Sequence, residues 1–275
     1  MNGMPQHCYQ GNTMGRFERK TVLITGGAAG IGLAAAQCFV REGGCVTLVD
    51  IDEGALRQAA DSLGPAATYY VADVSDARQT KEYVAHSMSR NERIDVALLN
   101  AGIEGPIAPM DETDIEDFDR VMAVNVRSAW LALASLLPLM RRQGGGSIVM
   151  TSSISGLRGT AGQGAYVASK HALVGLMKTA ALEGAPHGIR VNAVCPAPVQ
   201  TRMIEALENG FNSASPEDAR KMILSGIPLN RYAAAGEIAN LIAYLASDEA
   251  GFCTGAAYPV DGGASAGPAR HIQKS

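Results

Sequence analysis

Three polar side chains in the second half of the sequence have the types and spacing needed to move a proton. Tyr166 and Lys170 are four positions apart, so on a helix they lie on one face, and Ser153 precedes Tyr166 by thirteen residues. A free phenol, with a pKa of about 10, is a poor base at neutral pH, but a nearby ammonium group favours phenolate and lowers that pKa. A neighbouring hydroxyl can donate a hydrogen bond to an oxygen that gains negative charge. We therefore expect acid/base chemistry at a substrate oxygen.

A glycine-rich turn lies near the start of the chain, between an apolar run at 20–25 and a helical pattern at 30–42. Gly26 would allow the tight turn, Gly30 would let a pyrophosphate approach the backbone, and Gly32 would let the helix pack closely on the strand. The free N–H groups at the helix start, around Ile31, would then face the phosphates. The position between strand and helix, rather than the glycines alone, predicts a dinucleotide site.

Asp50 closes the second apolar run, twenty residues after Gly30. At that distance a carboxylate contacts the adenosine ribose hydroxyls of a dinucleotide, and it would repel the 2′-phosphate of NADP. Neither Ala29 nor the adjacent Ile51 supplies a compensating positive charge. These residues predict NAD(H) as the cofactor, whose nicotinamide would carry the hydride that accompanies the proton transfer.

The next two apolar runs end in residues that would lie at the same edge of the sheet. Asp73 and Val74 follow the third run and would contact the adenine, although Asp73 has the alternative of capping a turn. Asn100, Ala101 and Gly102 follow the fourth run, where small residues would let the backbone approach the cofactor. Asn100 has the alternative of simply holding the sheet edge together.

Apolar runs alternate with helical patterns along the whole chain. The runs are continuous rather than alternating, which is typical of strands covered on both faces. This order predicts one doubly wound α/β domain of the Rossmann type, a seven-stranded parallel sheet with helices on both faces. We predict a flexible extension at 1–18, the domain at 19–263 with a lid at about 197–232, and a tail at 264–275. The predicted strands are 20–25, 45–50, 68–72, 94–100, 147–152, 189–195 and 256–260, and the main helices are 30–42, 53–63, 76–91, 115–142, 164–185 and 236–247.

The composition excludes several classes of protein. The chain has 275 residues, of which 47% are hydrophobic and 18% charged, with a net charge of −4 and no basic block, so we expect neither a nucleic-acid nor a membrane partner. The apolar stretch from Trp130 to Met140 is too short to span a bilayer. The five cysteines form no CxxC pair, which favours free thiols in a reducing cytoplasm, and we predict no metal site.

Five motifs, in order and spacing, resemble those of the short-chain dehydrogenase/reductase family. They are TGGAAGIG at 25–32, LNAG at 99–102, Asn125, the serine pair at 152–153 and YVASK at 166–170, and the resemblance extends over about 19–263. It implies that Tyr166 is the general acid/base and that Ser153 orients and polarises the substrate oxygen. Lys170 would lower the Tyr166 pKa and bind the nicotinamide ribose, and Asn125 would hold a water that relays protons to Lys170.

The same resemblance places the loop after the sixth strand beside the nicotinamide. Pro196, Val199 and Thr201 would line that part of the site, with Val199 and Thr201 on the carboxamide. Ala197 stands where the family usually has glycine, so the loop there is not expected to need a positive φ.

The substrate is less constrained by the sequence. The segment after Thr201 is rich in apolar residues, beginning with Met203, which suits a hydrophobic alcohol or ketone, although such residues also pack cores. Glu104 and Gln163 are polar candidates for substrate contact. The stretches at 100–105 and 156–166 resemble those of NAD-dependent reductases of cyclic ketones. We therefore expect an oxidoreductase interconverting a secondary alcohol, cyclic or hydrophobic, and its ketone.

Two alternative functions remain open, and so does the number of subunits. A 3-oxoacyl-carrier-protein reductase would suit the motifs, but Asp50 argues against the NADPH that such synthesis prefers. A non-catalytic dinucleotide sensor would not need Ser153, Tyr166 and Lys170. The helices at 129–140 and 165–185 are apolar almost all round, which predicts burial against further copies in a homotetramer or homodimer, unless the terminal extensions cover them.

Overall fold

The computed structural model describes residues 15–89, 92–212 and 214–267. In this part of the chain, seven strands form one fully parallel sheet in the order β3-β2-β1-β4-β5-β6-β7. The predicted doubly wound α/β fold is therefore confirmed. The strands are β1 (Thr21–Thr25), β2 (Cys45–Asp50), β3 (Ala67–Val71), β4 (Val96–Leu99), β5 (Gly146–Thr151), β6 (Ile189–Pro196) and β7 (Ala257–Val260).

The helices cover both faces of this sheet. Tyr83, Leu136 and Met177 belong to the buried cluster on one face, and Phe39, Leu56 and Ile242 belong to the cluster on the other. All side chains of β1 and β4 are buried, as expected for strands between two helical layers. The helices are α1 (Gly30–Arg41), α2 (Glu53–Leu63), α3 (Ala77–Met88), α4 (Ile115–Met122), α5 (Ser128–Arg142), α6 (Gly164–Gly184), α7 (Arg202–Phe211), α8 (Pro216–Ser225) and α9 (Ala235–Ala246).

The strand order reverses between β1 and β4. From β1 the chain continues outward through β2 to β3 on one side of the sheet, and from β4 it continues outward through β5 and β6 to β7 on the other side. A crevice opens at the carboxyl ends of the strands at such a point, and this is where ligands bind in doubly wound sheets. β4 is shorter than the predicted 94–100 because the N–H groups at its two flanks bond to side chains. The N–H of Ile94 donates to Gln143 Oε1 at 3.3 Å and that of Asn100 to Thr25 Oγ1 at 3.1 Å.

The predicted helix at 115–142 consists of α4, a π-helical turn at Ala123–Arg127, and α5. Within the described residues this is the one helix long and apolar enough, by length and composition, to cross a membrane. Its side chains Ala132, Leu136 and Met140 are buried in the cluster that packs against the sheet. It is a core helix of this fold.

The ordered fold begins before the predicted boundary at Arg19. Phe17 is fully buried with its ring 4.7 Å from that of Phe39, and Arg16 pairs with Glu42. The prediction of a flexible extension through residue 18 is therefore wrong for 15–18, because an aromatic ring there completes one of the two cores. The rest of the extension with Cys8, the predicted helix end at 90–91, and tail residues 268–275 lie outside the described residues.

Candidate active site

A cleft of about 1010 Å³ lies at the carboxyl edge of the sheet. Of the residues predicted to bind cofactor or substrate, all but Gly32 and Ser153 line it. Those two lie directly behind its wall, Gly32 in the first turn of α1 and Ser153 in the loop that follows β5. The topology thus brings together side chains that are up to about 180 positions apart in the sequence.

The glycine turn has the backbone geometry that the sequence predicts. Gly26 and Gly30 have φ values of 63° and 54°, which residues with a side chain rarely adopt. A Cβ on Gly32 would overlap the carbonyl oxygen of Gly26, so this glycine allows the close contact between α1 and β1. Ala29 caps α1 without a side-chain hydrogen bond, leaving the first N–H groups of the helix to face the cleft. This cradle fits a dinucleotide pyrophosphate.

Acidic and small side chains line the end of the cleft beyond the glycine turn. Asp50 accepts hydrogen bonds from the N–H groups of Ile51 at 2.8 Å and of Ala28 at 3.3 Å, and its carboxylate borders the cleft. Asp73 also borders the cleft while accepting from the Ser75 N–H at 2.8 Å, so the proposed turn-capping role is confirmed beside the cleft position. The residues at this end therefore fit the ribose and adenine of a dinucleotide.

Asn100 joins the glycine turn to the end of β4. Its side-chain amide donates to the Gly26 carbonyl oxygen at 3.0 Å, which confirms the alternative that this residue holds the sheet edge together. Thr25 assists, since its Oγ1 accepts from the N–H groups of Asn100 and Ala101 at 3.1 and 3.3 Å. Together these bonds fix the floor of the cleft.

The three residues proposed for proton transfer lie together. Tyr166 and Lys170 share one face of α6, with Lys170 Nζ 5.5 Å from the Tyr166 ring centroid. The ammonium group donates to the Thr151 carbonyl oxygen at 3.0 Å, at the end of β5. The Ser153 hydroxyl lies near enough to the Tyr166 phenol to lower its pKa, and it accepts from the Ser155 N–H at 3.1 Å. Serine, tyrosine and lysine therefore form one group.

Burial dominates the protonation of this group. It raises the pKa of Tyr166 to about 12, with a further increase from the negative charge of Glu104, and the Ser153 hydroxyl opposes this increase. Burial also lowers the pKa of Lys170 to about 8. The expectation that Lys170 lowers the Tyr166 pKa stays a prediction. Loss of solvation destabilises both the phenolate of Tyr166 and the ammonium of Lys170.

Asn125 lies in the π-helical turn, a distortion that is common at functional sites. Its side chain makes three hydrogen bonds: Oδ1 accepts from the Ile103 N–H at 2.8 Å, and Nδ2 donates to the Ile103 carbonyl and to Ser169 Oγ, both at 2.9 Å. Asn125 therefore fixes the loop after β4 against α6. The predicted water relay to Lys170 stays a prediction.

The remaining wall of the cleft comes from the predicted lid. α7 and α8 lie within 197–232 and contribute apolar side chains such as Met203, Leu207 and Met222. Glu104 and Gln163 line the opposite side, near Tyr166. The predicted substrate residues are thus brought together around one space.

Sequence reasoning missed two residues that hold the site together. Ser169 donates to the Tyr166 carbonyl oxygen at 2.7 Å and receives the bond from Asn125, and Thr25 supports the β4 turn as described. Both lie inside motifs already singled out, YVASK and TGGAAGIG. Their hydroxyls were the available signal, because a buried hydroxyl needs a partner.

A parallel sheet whose strand order reverses at a glycine turn, with Tyr166 and Lys170 in the crevice and Ser153 beside them, defines an oxidoreductase that uses a nicotinamide dinucleotide. A family model described as enoyl-(acyl carrier protein) reductase matches residues 26–265. The chain belongs to the short-chain dehydrogenase/reductase family and is an enzyme acting on CH–OH donors.

Individual relatives cover most of the chain. It is similar to levodione reductase of Leifsonia aquatica, with 40% identity over 91% of this chain and 96% of the relative. A 3-oxoacyl-(acyl-carrier-protein) reductase of Thermotoga maritima is also 40% identical, over 90% of this chain and 98% of the relative. The crystal structure of levodione reductase superposes with a TM-score of 0.89 at 37% identity, covering 91% of this chain and 99% of that structure. The crystal structure of NAD+-bound xylitol dehydrogenase superposes with a TM-score of 0.84 at 32% identity, covering 89% of this chain and 98% of that structure.

Proposed function

We propose that this protein is an NAD(H)-dependent oxidoreductase that interconverts a secondary alcohol, cyclic or hydrophobic, and its ketone. The observation that carries the proposal is the group at the cleft: the Tyr166 phenol beside Ser153, with Lys170 Nζ 5.5 Å from its ring. Such a group serves proton transfer to one oxygen, and the same cleft continues to the glycine turn and Asp50.

Electrostatics at the adenosine end favours NAD over NADP. Asp50 and Asp73 both border this end, and the neighbouring Ala29 and Ile51 carry no charge. The 2′-phosphate of NADP would therefore be repelled by two carboxylates. The relative named as NAD+-bound xylitol dehydrogenase is consistent with this choice.

Side chains of the protein itself would transfer the proton. The glycine turn and Asp50 would hold NAD+, which would supply the acceptor for the C–H hydrogen of the alcohol, transferred as hydride with its electron pair. Tyr166, as phenolate, removes the hydroxyl proton, and in the reverse direction its phenol returns that proton. Ser153 donates a hydrogen bond to the same oxygen and holds it in place. Lys170, fixed to the Thr151 carbonyl, offers further donors to the nicotinamide ribose.

The apolar lid supports a hydrophobic substrate. Met203, Leu207 and Phe211 of α7 face the space beside Tyr166, and apolar walls with a few fixed polar groups are typical of small-molecule sites. The similarity to levodione reductase supports a cyclic ketone or the corresponding alcohol.

A second candidate is a 3-oxoacyl-carrier-protein reductase. The Thermotoga maritima relative favours it, whereas the acidic adenosine end disfavours NADPH. A non-catalytic sensor is a weaker alternative, because sensing would not require the adjacent serine and tyrosine. We further propose a cytoplasmic location, in keeping with the free thiols of Cys38, Cys45, Cys195 and Cys253.

The substitution Tyr166→Phe tests the proposed function. The variant should bind NADH, followed by nicotinamide fluorescence, with an affinity near that of the wild type. Its turnover of cyclic secondary alcohols with NAD+ should fall by at least about a hundredfold, because the acid/base group is gone. The same titration with NADPH should give clearly weaker binding. Undiminished turnover would refute the role of Tyr166, and tighter NADPH binding would refute the choice of cofactor.

A further inference from the structure

The loop that follows β4 contacts lid helix α7 beside the cleft. Ile107 in this loop lies against Gly210 in the last turn of α7: a Cβ on Gly210 would be 2.8 Å from Ile107 Cδ1, 3.2 Å from Cγ1 and 3.5 Å from Cβ. Ile107 is half-buried, so its side chain packs against protein rather than extending into solvent. The glycine at 210 leaves room for this isoleucine on the surface of the helix.

The same isoleucine is tied to the loop that follows β5. The Ala108 N–H donates to the Gly162 carbonyl at 3.0 Å, and Ala108 and Gln163 form a short parallel bridge. A Cβ on Gly162, whose φ is 77°, would lie 3.3 Å from Ile107 Cγ2. The loops after β4 and β5 therefore form one continuous wall of the cleft, which carries Glu104 and Gln163.

Helix α7 forms the facing wall. Leu207 and Phe211 of this helix line the cleft, and Gly210 lies between them in the sequence. Because Ile107 extends from the loop wall to this helix, its contact with Gly210 joins the two walls beside the space that they share. The substrate part of the cleft is therefore bounded at this contact.

The far end of the lid is held by the turn that follows β7. The Leu229 N–H donates to the Gly262 carbonyl at 3.1 Å. A Cβ on Gly262, whose φ is 58°, would lie 2.9 Å from Ile227 Cγ2, so the turn and this lid segment pack without space for a side chain. Since this end is fixed to the body of the protein, a change at Ile107 should act on the α7 end of the lid.

We propose, on the basis of the proposed function, that Ile107 determines the size of the substrate. Its contact with Gly210 limits the distance between the two walls, so the enzyme selects a compact cyclic alcohol and excludes one whose ring carries a bulky substituent. Ile107 acts through α7, whose Leu207 and Phe211 would contact the ring, and it is therefore a positioning residue. A well-packed apolar space resists added volume, which is the physical basis of this selection.

The test compares cyclohexanol with 3- and 4-tert-butylcyclohexanol as substrates of the full-length enzyme with NAD+. The wild type should show a kcat/KM at least about tenfold lower for both substituted alcohols. Ile107→Ala should raise the ratio of substituted to unsubstituted kcat/KM by roughly fivefold or more, with the affinity for NADH unchanged. Ile107→Leu, which conserves the volume, should keep this ratio within about twofold of the wild type.

A second substitution should restore the contact. In Ile107→Ala only the Cβ of that side chain remains, 3.5 Å from the position of a Cβ on Gly210, which is an ordinary van der Waals distance. Adding Gly210→Ala to Ile107→Ala should therefore return part of the lost selectivity. The matched control is Ile115→Ala, at an exposed isoleucine at the start of α4, which should keep the wild-type ratio.

Two kinetic results would overturn the inference while leaving the proposed function standing. One is equal oxidation of all three alcohols by the wild type, and the other is an equal loss of activity on all three in Ile107→Ala, which indicates a purely structural role.

If no alcohol is oxidised, the proposed function fails, and a binding measurement decides the inference. With Tyr166→Phe and NADH, cyclohexanone should quench nicotinamide fluorescence at lower concentration than 4-tert-butylcyclohexanone does. Adding Ile107→Ala should remove this difference. Equal binding of the two ketones before that substitution would overturn the role of Ile107.

Discussion

At the scale of single residues, burial sets the charges on which the chemistry depends. Lys170 is only 3% exposed, and its pKa falls to about 8. Its ammonium group therefore begins to lose its proton only slightly above neutral pH. The pKa of Tyr166 shifts in the opposite direction, since burial raises it to about 12 and favours the neutral phenol. Proton removal from an alcohol should therefore become easier as the pH rises.

The lowered pKa of Lys170 also predicts how the stability of the protein depends on pH. Its pKa is 10.5 when unperturbed and about 8 in the fold, so between these values the unfolded chain binds more protons and stability rises with pH. Relative to Lys170→Met, the free energy of unfolding of the wild type should increase from pH 8 to 9.5 by up to about 2 kcal/mol. Urea unfolding of both proteins at several pH values measures this difference. A difference that stays flat over this range would contradict the lowered pKa.

At the scale of elements, one tyrosine connects the two lid helices to the body. Tyr232 is buried, and its hydroxyl donates to Glu208 Oε1 of α7 at 2.8 Å. The Arg220 guanidinium of α8 lies 5.1 Å from its ring centroid. The Tyr232 ring also packs against Ile204 and Ile227 in a small core under the lid. The position of the substrate wall therefore depends on this residue.

Tyr232→Phe keeps the ring and removes the bond to Glu208. We expect KM for the alcohol to rise roughly threefold to tenfold, in line with the loss of about 1 kcal/mol, while kcat and the affinity for NADH change little. Steady-state kinetics and NADH titration measure this separation. Tyr244→Phe, an exposed tyrosine on α9, is the matched control and should behave as the wild type. A fall in kcat with KM unchanged would argue against a positioning role for the lid.

At the scale of the whole molecule, two helices leave apolar side chains in solvent. Trp130 on α5 is 61% exposed and Leu182 on α6 is 79% exposed, although other side chains of the same helices are buried in the core. Large exposed apolar groups on neighbouring elements are typical of subunit contacts, and α5 and α6 pack against each other. This supports the prediction of a homotetramer or homodimer.

The mass of the protein in solution tests that prediction. Light scattering coupled to size-exclusion chromatography should give two or four times the chain mass of 28.6 kDa. Trp130→Glu and Leu182→Glu should each lower that mass, because a buried unpaired carboxylate destabilises the contact. Leu229→Glu, which places the same charge at another exposed leucine, should leave it unchanged. A wild-type mass of one chain would refute the assembly.

Most of the framework follows from local patterns in the sequence. Asp76 is the first residue of the predicted helix at 76–91, and it caps α3 by accepting from the N–H groups of Arg78 and Gln79. β7 begins one residue after the predicted start, at Ala257. Such features depend on neighbouring residues, so spacing and residue type are enough to predict them.

The sequence by itself determined the parallel fold, the glycine turn and the spacing of Ser153, Tyr166 and Lys170, because periodicity and helix geometry are local. Only the tertiary structure decided that burial raises the pKa of Tyr166 and lowers that of Lys170, since the loss of water at α6 comes from distant segments. It likewise decided that Phe17 belongs to the core. The reason is physical: solvation and hydrogen-bond partners belong to the assembled chain and cannot be read from any one stretch of it.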